Sequence, residues 1–241
     1  GLEEEIDMET FEKQPELESH IFRGDLMKPK IRKRLLKIVE DFLEGLKIDV
    51  KPLDIRLTGS LANYNWSKYS DIDLHIIVDY AQLGENKELV KAYFNAARMN
   101  WNNKHNIKVH GYEVEIYVED ADEEHIASGL YSLTDQQWLN EPDPAQVEID
   151  HGTAHKKSDD IMTQINLIEK FATQKPKAAM KSIERLRAKV RRLRSAGLKS
   201  DKAEFSAENI AFKILRREEA LDKLANLKRN VYDKLMSMGE E

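Results

Sequence analysis

Three short runs of alternating apolar and polar residues, at 53–58, 71–78 and 113–119, are set between stretches of helical spacing. This change of period dictates a sheet backed by helices. In Leu53-Asp54-Ile55-Arg56-Leu57-Thr58 the apolar residues alternate, and Gly59-Ser60 closes the run as a turn. From Asp71 onward, Ile72, Leu74, Ile76 and Val78 face one way and Asp71, Asp73, His75 and Ile77 the other, which predicts a strand with an acidic outer face. In the third run Val114, Ile116 and Val118 alternate with Glu113, Glu115 and Tyr117. Between them, residues 27–48 carry Ile31, Leu35, Ile38, Val39, Phe42 and Leu46 at three- and four-residue steps, with Pro29 early, where a helix tolerates it. Residues 86–103 repeat that spacing through Leu89, Tyr93, Ala96, Ala97 and Trp101.

From about residue 152 the alternation stops, and the spacing predicts helices over 153–172, 177–196 and 206–237. Ile183, Leu186, Val190 and Leu193 form one stripe; Ile210, Ile214, Leu221, Leu224, Val231 and Leu235 form another. Gly197 reads as a stop, and Ser206 with Asn209 as a start. The expected fold class is α+β, a mixed sheet with flanking helices followed by an all-helical C-terminal lobe. The expected divisions are an acidic N-terminal segment over 1–26, a sheet domain over 27–150 and a helical domain over 151–241.

Charge is unevenly spread. Residues 1–25 carry nine acids and two bases, while 175–202 carry eleven bases and two acids, so a net charge of −6 conceals a band of +9. The absence of cysteine excludes disulfide frameworks and thiolate metal sites. No apolar run approaches the roughly 18 residues of a membrane span, and the acidic N-terminus lacks the blocks of a signal peptide. A cytoplasmic protein without a membrane partner is expected, and Gly1 is read as a cloning remnant.

The stretch with most chemistry in it is Gly59-Ser60, ten residues of spacer, then Asp71-Ile72-Asp73. Residues two apart on a strand share a face, so Asp71 and Asp73 are placed to hold divalent cations jointly, as two-metal phosphoryl chemistry requires. Gly59 lets backbone amides approach a phosphate, and the Ser60 hydroxyl offers it a hydrogen bond. This arrangement resembles the DNA polymerase β-type nucleotidyltransferase superfamily, with its Gly-Ser motif, spacer and Asp-x-Asp. The resemblance covers roughly residues 27–120 and extends to phage-encoded proteins of this type. It implies a nucleotidyltransferase-type sheet with catalysis in a cleft between lobes. It also implies a third carboxylate on a neighbouring strand, for which Val114-Glu115-Ile116 is the obvious carrier and Glu113 the rival. By the same resemblance, Asp71, Asp73 and Glu115 would be both catalytic and metal-holding, with Mg²⁺ or Mn²⁺ as cofactor and a nucleoside triphosphate as donor. Gly59 and Ser60 would bind the nucleotide, and so would a residue of the helical lobe, for which Lys213, on a face with Asn209 and Arg216, is the candidate.

Other residues invite functional readings beside plainer ones. His75 reads as a structural histidine and stays out of the metal set. Tyr64 and Trp66 either stack on a base or anchor the turn. The run from Asp120 to His125 lacks the pattern of a calcium loop and reads as solvated. Arg185, Lys189 and Arg192 form either a phosphate-binding row, extending to nucleic acid through the basic band 175–202, or a solvated helix face.

The expected activity is transfer of a nucleoside monophosphate from a triphosphate to a small-molecule, protein or RNA acceptor, with pyrophosphate release. The competing reading is an inactive nucleotide- or nucleic-acid-binding module on the same fold. A glycosyltransferase fits poorly, because its Asp-x-Asp would not follow Gly-Ser in so short a strand-turn-strand. Dinucleotide and Walker-type glycine motifs are absent.

Overall fold

The computed structural model describes residues 14–68, 70–124, 127–145, 151–197 and 207–237. The chain divides into two compact units, Gly1–Asp150 and His151–Glu241.

The first unit opens with a small hairpin, β1 (Phe22–Arg23) and β2 (Leu26–Met27), turned at Gly24 with φ +59°. Helix α1 (Pro29–Glu44) begins with proline in its first turn and buries Ile31, Leu35, Ile38, Val39 and Phe42 along one face. It is shorter than the 27–48 span predicted, because the chain leaves the helix after Glu44, where the Gly45 amide bonds to the Asp41 carbonyl. Strand β3 (Asp54–Thr58), β4 (Ile72–Val78), helix α2 (Lys87–Lys104), β5 (Lys108–Val109), β6 (Tyr112–Asp120), β7 (Leu130–Ser132) and β8 (Gln137–Asn140) follow.

The strands form a six-stranded sheet in the order β5-β6-β4-β3-β7-β8. Among the described residues only β4 and β6 run parallel, and α2 makes the crossover that a parallel pair needs. β4 lies inside the sheet, flanked by β3 and β6, and all seven of its residues are buried. The expectation of a solvated acidic face on this strand is therefore corrected: Asp73, His75 and Ile77 are as enclosed as their apolar neighbours.

The core joins α1, the sheet and Val90 and Phe94 of α2. Leu17, Ile21 and Phe22, from the segment read as acidic, belong to that core. The hairpin docks through aromatic contacts, with Phe22 stacked on Trp138 and edge-on to Tyr131. Strands β1, β2, β5, β7 and β8 were not foreseen, being too short for alternation to register.

The second unit holds helices α3 (His151–Ala172), α4 (Pro176–Gly197), α5 (Ala207–Arg217) and α6 (Ala220–Met236). Ile161, Ile165, Ile168, Ile183, Leu186 and Leu193 lie in its interior. The single helix predicted over 206–237 is two, broken at Glu219, whose φ is +57°. Its apolar phase explains the break. Leu215 and Ala220 are both buried but five residues apart, a spacing one continuous helix cannot hold on one face. Ile210 and Ile214 are only half-buried, while Ala211 and Leu215 carry the α5 contact. Ser206 lies outside the described residues, as do the basic-band positions Lys199 and Lys202.

Candidate active site

Strand β3 delivers Thr58 to a position paired with Asp73 on β4. The chain must then turn immediately over the aspartate, and Gly59 does so with φ +81°. A Cβ built on Gly59 would stand 2.3 Å from Asp73 Oδ2, so the turn and the carboxylate share a space only glycine leaves open. Ser60 starts a single 3₁₀ turn, Ser60–Ala62, whose Leu61 and Ala62 are fully buried. Its hydroxyl donates to Ser70 Oγ at 2.6 Å, and Ser70 Oγ accepts the Ser67 amide at 2.9 Å. The spacer thus closes on itself, holding Gly59-Ser60 beside the start of the Asp-x-Asp segment.

A second close approach secures this turn from outside. A Cβ on Gly129 would fall 1.8 Å from the Ala62 carbonyl oxygen, so the residues before β7 press directly on the turn. Asn63 Nδ2 donates to Ser128 Oγ at 2.6 Å in the same place. Tyr64 and Trp66 are tied to the N-terminal segment: the indole donates to the Glu16 carbonyl at 2.9 Å, and the Tyr64 carbonyl accepts the Gln14 amide at 2.8 Å. These bonds favour turn anchoring over base stacking.

Asp71 stands just before β4 and is half-buried, whereas Asp73 lies within the strand and is 4% exposed. Parallel pairing sets Asp73 level with Glu115 and Ile72 level with Val114. Directly paired residues on strands about 4.8 Å apart project from the same face, so Asp73 and Glu115 are side by side. Glu113, half-buried, precedes the paired stretch, which begins at Ile72 and Val114. Of the two rival glutamates, Glu115 is the one paired with the buried aspartate. Glu115 Oε2 accepts the Tyr117 hydroxyl at 2.7 Å.

The donor set is all carboxylate oxygen, the chemistry of Mg²⁺ or Mn²⁺ sites. The cradle at Gly59 keeps Asp73 Oδ2 clear of side-chain bulk, and carboxylate oxygen is the donor type a hard divalent ion takes. Among the described residues, no three acidic or histidine side chains converge on one point that could hold a metal. Pairing of β4 with β6 brings Asp73 and Glu115 into register.

His75 is buried, with Nδ1 2.6 Å from Glu119 Oε1, and its ring stacks on Tyr117 at 4.7 Å. Beside it, Arg98 of α2 donates to the Ile116 carbonyl, and its guanidinium carbon lies 4.4 Å from the Tyr117 ring centre. Tyr117, Glu119 and Arg98 were all missed from sequence, since nothing in their spacing reveals a cross-strand cluster.

Beyond the buried Asp120 the acidic run at the end of β6 is largely exposed, and lysines of α2 pair with it. Lys87 bridges Asp120 at 2.7 Å and Asp122 at 2.6 Å, and Lys91 reaches Glu123 at 3.2 Å. Burial pushes the Asp120 carboxyl upward, but Lys87 and the Tyr80 and Asp122 amides outweigh it and hold the group below its ordinary range. His125 lies outside the described residues.

In the helical unit, Lys213 is half-buried on α5, and Asn209 on the same helix is buried. Lys189, expected in an exposed row with Arg185 and Arg192, is 7% exposed and sits 3.7 Å from Asp160 Oδ2. Arg185 and Arg192 are half-buried, so the row as a solvated face is corrected, while Lys175, Lys177, Lys181, Arg191 and Arg194 remain exposed.

No helix among the described residues is long and apolar enough to cross a membrane. Comparison with curated proteins and with solved structures gives no match. Comparison with family models gives one for a nucleotidyltransferase domain, over residues 33–129. That span runs from α1 through the turn at Gly59, β4, α2 and β6 to Gly129, and so takes in Asp71, Asp73, Glu113 and Glu115. Residues 33–129 are therefore similar to a nucleotidyltransferase domain, consistent with the polymerase β-type superfamily.

Proposed function

We infer that the protein transfers a nucleoside monophosphate from a nucleoside triphosphate to an acceptor hydroxyl, releasing pyrophosphate. The observation that carries this reading is the fit of Gly59 over Asp73 with Glu115 in register beside it, inside the matched domain. Asp71, Asp73 and Glu115 would hold divalent metal, Mg²⁺ or Mn²⁺. Such an ion, when bound, supplies Lewis-acid stabilisation of charge developing on the triphosphate.

The chain's own groups do the rest. Gly59 leaves room for a phosphate oxygen near the backbone, and the Ser60 hydroxyl exchanges its bond to Ser70 for one to that phosphate. The acceptor oxygen attacks the α-phosphorus as the bond to the β-phosphate oxygen breaks, and the acceptor proton passes to Glu115.

Nucleoside triphosphates labelled with ³²P at the α or the γ position, supplied with Mg²⁺ and a cell extract as acceptor source, test this. Label from the α position should enter a product and label from the γ position should not, and Asp73→Asn should abolish the incorporation. Transfer of the γ label, or undiminished α transfer by Asp73→Asn, contradicts the reading. Nucleotide binding with no transfer of either label favours the inactive binding module.

A further inference from the structure

Around Glu115 the sheet builds a rigid support. Tyr117, two residues along β6 and on the same face, donates its hydroxyl to Glu115 Oε2 at 2.7 Å. Its ring is not free to swing. His75, the residue paired with Tyr117 on β4, stacks on it with centroids 4.7 Å apart and planes 14° from parallel. His75 is itself held at Nδ1 by Glu119 Oε1, 2.6 Å away. From α2, the Arg98 guanidinium lies over the ring at 4.4 Å while its Nε donates to the Ile116 carbonyl. Strand, neighbouring strand and helix all converge on one phenol.

We propose that Tyr117 is a positioning residue for the third carboxylate, and that the His75–Tyr117–Arg98 stack sets the orientation in which Glu115 meets metal. This deepens the nucleotidyl-transfer reading and rests on Glu115 being a metal-holding carboxylate. The physical argument is rotamer restriction. A glutamate has three side-chain torsions, and without a fixed partner each metal-binding event must freeze them. The tyrosine hydroxyl fixes one oxygen beforehand, and the clamped ring makes that hydroxyl a fixed point. Outer hydrogen bonds of this kind raise metal affinity or activity by about 10- to 100-fold.

The test is a Mn²⁺ titration of the full chain, followed by electron paramagnetic resonance, on wild type, Tyr117→Phe, Tyr117→Leu and Asp73→Asn. Tyr117→Phe keeps the ring and its stack but removes the hydroxyl, so its thermal midpoint should stay near that of the wild type while its Mn²⁺ dissociation constant rises about 10-fold. Tyr117→Leu removes the stack as well and should lower the midpoint, separating the structural role from the positioning one. In the isotope-transfer assay, Tyr117→Phe should recover at high Mn²⁺, whereas Asp73→Asn should not.

A Tyr117→Phe variant that binds Mn²⁺ as the wild type does, and shows the same metal-activation curve, overturns the positioning role while leaving the transferase reading intact. A wild type that binds no Mn²⁺, or an Asp73→Asn variant that binds it equally well, overturns the metal assignment beneath both.

Discussion

Gly59 is held by two constraints at once, a positive φ and the 2.3 Å approach that any Cβ would make to Asp73 Oδ2. Gly59→Ala should therefore destabilise by about 1–3 kcal/mol, the usual cost of forcing a side chain into such backbone. Urea unfolding checks this, and nucleotide binding should fall further than stability does, because the displaced group is Asp73. Asp71 offers the contrast. It is half-buried and lies outside the strand, so Asp71→Asn should change stability by no more than about 0.5 kcal/mol while abolishing nucleotidyl transfer. A matched loss of both stability and transfer in Asp71→Asn would instead mark it as structural. The Gly-Ser and Asp-x-Asp residues could be read in the chain because turn chemistry and strand alternation are local. Tyr117, Arg98 and Glu119 could not, since their meeting depends on the parallel register of β4 with β6 and on the angle at which α2 crosses.

At the scale of elements, the crossover from β4 through α2 to β6 is fastened at its far end by Lys87, which joins the start of α2 to Asp120 and Asp122. Asp120 is depressed in the folded state, so its contribution is present above its unfolded pKa of about 3.9 and is lost as pH falls through the folded value. Lys87 is raised, so its share is complete below about pH 10.4 and is lost as pH rises through its folded value. Lys87→Met should accordingly lower the unfolding midpoint at pH 7 and shrink the loss of stability seen on acidification below pH 4; urea titrations at several pH values check both. The break between α5 and α6 gives a second prediction. Glu219 occupies left-handed backbone that glycine adopts freely, so Glu219→Gly should stabilise by about 0.5–1 kcal/mol in thermal unfolding.

The same elements show what periodicity conveys. Helices α1 and α2 and strands β3, β4 and β6 follow from spacing, because each carries a full stripe or alternation of its own. The hairpin and strands β5, β7 and β8 have two to four residues each, too few to display an alternation of their own, and β7 joins the sheet by pairing with the distant β3. The burial of the acidic face of β4 was hidden for a related reason: alternation tells which residues share a face, not what covers it. In the helical lobe, a stripe running on through 206–237 concealed a change of phase at Glu219, and Lys189 read as exposed until its ion pair with Asp160 was seen.

For the whole molecule, the site's charges limit what it can bind. The matched domain gathers carboxylates in a buried strand pair, and the helical unit carries most of the +9 band. Buried carboxylates placed in register repel one another unless cations intervene, so on the proposed reading a metal-bound triphosphate is a better ligand than free nucleotide.

Thermal unfolding of the wild type and of Asp71→Ala/Asp73→Ala, each with ATP, GTP, CTP or UTP and with or without Mg²⁺, addresses that claim most directly. A ligand at a hundred times its dissociation constant adds about 2.7 kcal/mol, enough to move the midpoint by several degrees. The account predicts stabilisation by at least one nucleotide, dependent on Mg²⁺ and absent in the double variant. Stabilisation that persists without Mg²⁺ and survives both substitutions would contradict it.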